Sequence, residues 1–108
     1  MTSSRVALVA LLMLVFSSAC QPRRPALVEI GPTYGGFILV IDRPVPENPE
    51  RAAEYEFEYV GRVNDGTRCV VVGQAIVEGD RQYEVLCDGL SAYGFVPADS
   101  ITVLSYQD

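Results

Sequence analysis

The 108-residue chain contains no histidine, no tryptophan and no lysine. Without histidine there is no ordinary neutral-pH general base. Ser–His and Cys–His nucleophile pairs are excluded, and so is any histidine-bearing zinc site. All eight basic residues are arginines, against fourteen acids, for a formal charge of −6. An acidic chain with scattered arginines is a poor match for phosphate backbones, so nucleic acid is not an expected partner. The acidity itself serves solubility. Cysteine is scarce and odd in number, at three.

The first twenty residues differ from the rest. One positive charge, Arg5, precedes an unbroken apolar run at 6–16 (VALVALLMLVF). Eleven apolar residues fall short of the roughly twenty needed to cross a bilayer. The run is followed by Ser17-Ser18-Ala19 and then Cys20. A charged start, a short apolar core and small residues make a cleaved secretory signal peptide, 1–19. Its loss removes Arg5 and takes the formal charge from −6 to −7.

The Ala19-Cys20 junction resembles the lipobox of bacterial lipoproteins, in which the cysteine is acylated and becomes the new N-terminus. Ser18 and Ala19 fit that pattern, whereas Ser17 stands where an aliphatic residue is usual. Ser17-x-Ala19 also satisfies ordinary small-x-small cleavage. The resemblance implies a lipid bilayer partner held through acylated Cys20, with the chain facing the periplasm. Gln21 rather than Asp after the cysteine is similar to outer-membrane sorting patterns. With Cys20 lipidated, Cys69 and Cys87 remain as one pair in an oxidising compartment.

Residues 20–36 read as lipidated cysteine and tether. Gln21-Pro-Arg-Arg-Pro25 is an extended spacer, and residues 26–30 form a short first strand. Residues 37–108 read as the domain. The apolar run FILVI at 37–41 is of strand length and looks buried on both faces. Pro44, Pro46 and Pro49 make 42–51 a loop. Residues 54–60 alternate strictly, with Tyr55, Phe57 and Tyr59 opposite Glu54, Glu56 and Glu58. This predicts a strand whose aromatic face joins the core and whose glutamate face is solvated.

Asn64-Asp65-Gly66 is a strong turn signal. The β-branched run 68–77, a turn at 78–81 and a returning strand at 83–87 predict a hairpin. The midpoint of Cys69 and Cys87 is Glu78, inside that turn, so the two cysteines should face one another as a disulfide. Gly94-Phe95-Val96 starts a short strand, Pro97 to Ser100 form one 3-10 turn, and 101–104 form the last strand. The fold class is all-β: a small antiparallel barrel of about five to six strands.

Val60-Gly61-x-Val63-x-x-Gly66-Thr67 followed by a β-branched strand resembles the bacterial SH3-like (SH3b) pattern. Gly94-Phe-Val-Pro-Ala-Asp-Ser-Ile101 resembles the ending of that family and of eukaryotic SH3 domains. The resemblance spans 39–104, with 42–59 as an enlarged hairpin loop, and implies an SH3-like barrel. It also implies a non-enzymatic module that needs no cofactor and contacts peptidoglycan or a periplasmic protein. The groove tryptophan of proline-motif SH3 domains is absent, and Ser100 stands in place of their 3-10 tyrosine. Candidate ligand-binding aromatics are therefore Tyr34, Tyr83, Tyr93 and Tyr106, each of which also reads as a half-buried surface tyrosine. The alternative function is that of an accessory subunit in a larger envelope complex, with no ligand of its own.

The leader generates one prediction. The intact mass of the membrane-extracted protein should exceed that of the peptide beginning at Cys20 by an acylated diacylglycerol group. A plain peptide mass would overturn lipidation.

Overall fold

The computed structural model describes residues 23–108, and the signal peptide and Cys20 lie outside them. Seven strands form one antiparallel sheet. They are β1 (Pro25–Ile30), β2 (Phe37–Ile41), β3 (Tyr59–Asn64), β4 (Arg68–Val77), β5 (Asp80–Cys87), β6 (Gly94–Pro97) and β7 (Ile101–Tyr106). A one-turn helix, α1 (Pro49–Ala52), lies between β2 and β3, and a 3-10 turn (Ala98–Ser100) precedes β7. β1 falls within the stretch read from the sequence as tether, and it is paired with β4 on one side and β7 on the other. Among the described residues the sheet therefore begins at Pro25.

The all-β class is as expected, but two details of the sequence reading are corrected. Among the described residues the strands number seven, because β1, from the stretch read as tether, joins the six strands of 37–108 in one sheet. The hydrogen-bonded order, β3-β2-β6-β5-β4-β1-β7, is open, with β3 and β7 at its edges. The sheet is nevertheless coiled. Val28 of β1 and Val63 of β3 belong to one buried cluster with Val40, Val85 and Val96. Five strand steps separate β1 from β3 in the order, which would be roughly 24 Å in a flat sheet. Only a sheet curled on itself can bring those valines together.

Close approach helps the curl. A Cβ on Gly94 would sit 2.2 Å from Val40 Cγ1 and 3.0 Å from the Ile41 carbonyl oxygen. β6 and β2 can therefore meet at the Ile41–Phe95 pair. On the core side of β3, Leu90 packs where a Gly61 side chain would be.

Two further expectations are corrected. The run FILVI is not buried on both faces. Val40 is fully buried and Ile38 partly so, whereas Phe37 and Leu39 are exposed on the opposite face. The alternating stretch 54–60 is strand only from Tyr59 onward. Its pairing ends where Asp42 N donates to the Glu58 carbonyl and Glu58 N donates to Asp42 Oδ1. Beyond that point the opposing chain carries Pro44 and Pro46, which have no N–H to extend a ladder.

β4 and β5 pair as the sequence predicts, and Cys69 is the direct partner of Cys87. The two are disulfide-bonded across the hairpin, 18 residues apart in sequence. Their sulfurs lie in a core built mostly of valine, where few large side chains contribute area. Replacing both cysteines by alanine should cost about 3 kcal/mol, from the loop-closure entropy returned to the unfolded chain. Urea unfolding of the variant measures it, and an unchanged midpoint would show that the bridge is not a stabilising staple.

Candidate functional site

The exposed face of β2 opens onto a shallow apolar groove of about 380 Å³. Phe37 and Leu39 of β2, Phe57, Tyr59, Phe95 of β6 and Pro97 are among the residues lining it. The volume lies in the range of small-ligand sites, roughly 300–1,000 Å³. Phe57 and Tyr59 meet edge to face, with ring centroids 5.5 Å apart and planes at 89°. The Arg62 guanidinium sits 4.5 Å from the Phe37 ring centroid and covers one side of that ring. A second recess of about 350 Å³ adjoins the groove, shares Phe37, Glu47 and Pro97 with it, and extends to Tyr34.

One wall of the groove is the long connection from Asp42 to Glu58. The sequence presents it as a proline-rich loop, yet it is held down at successive points by the start of β5. Glu78, Asp80 and Gln82 alternate, and each takes a different part of the connection. The Gln82 amide is buried and pairs with both polar groups of one residue: Val45 N donates to Oε1 at 3.2 Å, and Nε2 donates to the Val45 carbonyl. Asp80 Oδ2 accepts from Glu47 N at 2.9 Å. Glu78 accepts from Arg51 Nε at 2.7 Å and from the Tyr55 hydroxyl at 3.1 Å.

Helix α1 supplies Arg51. Asn48 Oδ1 caps its start by accepting from Glu50 N at 2.9 Å, and Pro49 suits the first helical position. The hydrogen bond from Arg51 holds the Glu78 carboxyl below the usual carboxylate range. A depressed carboxylate stabilises the fold above its unfolded pKa, and that contribution is lost as pH falls through its folded value. This clamp therefore loosens in acid.

Glu47 lies at the mouth of the groove. Partial burial, and then the neighbouring charges of Asp99 and Asp80, raise its carboxyl above the usual range. The apolar floor thus meets an acidic rim. Among the described residues no group of three or more acidic or cysteine side chains is placed to hold a metal ion.

The four tyrosines singled out from the sequence do not converge. Tyr34 is fully exposed at the edge of the second recess. Tyr83 is 7% exposed and belongs to the core. Tyr83 and Tyr106 share a separate recess with Arg23, Pro25 and Val103. Tyr93 stands exposed on the connection between β5 and β6. Ser100 turns back on its own turn, its hydroxyl donating to the Pro97 carbonyl at 2.7 Å, and offers no ring to the groove.

The aromatics that do line the groove, Phe37, Phe57, Tyr59 and Phe95, were not among the candidates. The signal for Phe57 and Tyr59 was the alternation at 54–60, but it was read as a core face. Tyr55 and Tyr59 are exposed instead, because the stretch joins the sheet only at Tyr59, the first residue of the edge strand β3.

Gln82→Leu keeps the side-chain size but strands the Val45 N–H and carbonyl, at a cost of about 2 kcal/mol. Hydrogen exchange should rise across 43–58 and stay low in β4 and β5. Uniform exchange across both would show that Gln82 does not anchor the connection. Neither protein-family models, nor curated proteins, nor solved structures match the chain.

Proposed function

We propose that this chain is a non-catalytic binding module of the cell envelope, SH3-like in architecture and tethered to the membrane through acylated Cys20. It faces the periplasm from the outer membrane and contacts the cell wall or a periplasmic protein through the groove on β2. The observation that carries this reading is the aromatic lining of exposed Phe37 and Tyr59 and half-buried Phe57, beside a connection anchored by buried and charged hydrogen bonds. Exposed rings preorganised on a rigid frame bind without first paying ordering entropy. The strand sequence supports the SH3-like assignment: a long hairpin excursion between β2 and β3, a β4–β5 hairpin, and a 3-10 turn before the last strand.

An accessory structural role is the second reading. The edge strand β7 favours it, because Ile101–Tyr106 carries no charged residue to discourage addition of a further strand.

The two readings separate in one experiment. On the first, the mature protein should pellet with purified peptidoglycan sacculi in a saturable, salt-sensitive way. The pair Phe57→Ala and Tyr59→Ala should then weaken pelleting about tenfold or more, given about 0.5–1.5 kcal/mol per aromatic contact removed. Pelleting that survives the double substitution would move the site elsewhere. Absence of pelleting would remove the wall as ligand and leave a protein partner, sought by crosslinking from the groove and from β7.

A further inference from the structure

The end of the domain nearest the leader has a composition of its own. Val70 and Val72 of β4 and Leu104 and Tyr106 of β7 are 52%, 44%, 43% and 51% exposed. They are gathered by the register around the first half of β1. Leu27 is the partner of Val70 on one side and Ser105 on the other, and Pro25 is the partner of Tyr106. Arg23 and Arg24, both exposed, lead directly into this cluster, and Gln107 N donates to the Arg24 carbonyl at 2.8 Å. The neighbouring acids are Asp108, just past that bond, Glu84, the partner of Gly73 beside Val72, and Glu29, which lies opposite Arg68 toward the other end of β1.

The length of chain before the sheet limits where this surface can be. Only four residues separate Cys20 from Pro25. Even fully extended, five steps of about 3.5 Å hold Pro25 within roughly 17 Å of Cys20. A lipid on Cys20 therefore keeps the start of β1 within about 10 Å of the outer edge of the headgroup region.

We propose that this end of the domain, Val70, Val72, Leu104 and Tyr106 with Arg23 and Arg24, rests on the lipid surface. The inference builds on the lipid anchor at Cys20 and adds a contact made by the folded domain itself. Tyrosine suits the headgroup level, with its ring toward the acyl chains and its hydroxyl in water. Two arginines beside exposed valine and leucine make the mixed cationic and apolar surface that an anionic leaflet attracts. The contact also orients the module. β1 runs away from this end for six residues, roughly 20 Å, to Ile30, and the recess at Tyr34 and the aromatic groove follow from there. The groove then faces away from the membrane.

The absence of native tryptophan makes the test direct. Tyr106→Trp, Val70→Trp and Tyr34→Trp each place a lone fluorophore in the full mature protein, reconstituted in vesicles containing acyl-brominated phosphatidylcholine. The first two should be quenched by roughly twofold more than the third, as expected of residues at the interface against one held off it. With phosphatidylglycerol present, Arg23→Gln with Arg24→Gln should reduce the quenching at position 106. No loss in that double variant would overturn the part assigned to the arginines. Equal quenching at positions 34, 70 and 106 overturns the contact, whatever the state of Cys20. Intact mass of the same samples reads the anchor separately. An unlipidated chain that still shows stronger quenching at 106 than at 34 keeps the surface while removing the anchor.

Discussion

The arrangement of the site depends on one buried side-chain amide. Gln82 meets both the N–H and the carbonyl of Val45, and so fixes the point where the connection after β2 enters the structure. In a low-dielectric setting such a pair is costly to break, because its groups would be left without water or partner. Asp80 and Glu78 extend the same hold outward to Glu47, Arg51 and Tyr55. The connection is thereby a wall instead of a free loop, and the groove exists because that wall stands opposite β2.

The frame behind the groove is economical. Its core is largely valine, with one disulfide and one buried tyrosine, and no single residue supplies much apolar area. Such a core is effective only when strands approach closely, and Gly94 and Gly61 permit that by leaving space for Val40 and Leu90. The curl that results puts Phe37 and Leu39 outside, where a flat sandwich would have covered them. Burial and exposure of the two halves of β2 are thus one consequence of the same curvature.

The domain is polar along β1. At one end, arginines and exposed aliphatics meet the leader; at the other, aromatics meet an acidic rim formed by Glu47, Asp80 and Asp99. On the proposed reading these ends have separate tasks, attachment and recognition. A negative rim adds selectivity for positively charged groups and an association rate that falls with salt.

Much of this was legible in the chain itself. The β4–β5 hairpin, its turn at Glu78, the cystine opposite it, the 3-10 turn and the last strand all follow from local signals. Alternation, turn residues and proline act over a few positions, and a hairpin's register follows from its turn. The connection and the groove were not legible, because nothing local says that Gln82 will find Val45, thirty-seven residues away in sequence. The alternation at 54–60 promised a strand but found no partner with free N–H groups, and its rings went to the surface. Sequence alone thus determined the all-β class, the β4–β5 hairpin with its staple, and the lack of histidine. Tertiary structure decided which aromatics face solvent together, because that depends on the curl of the sheet and on hydrogen bonds between distant segments.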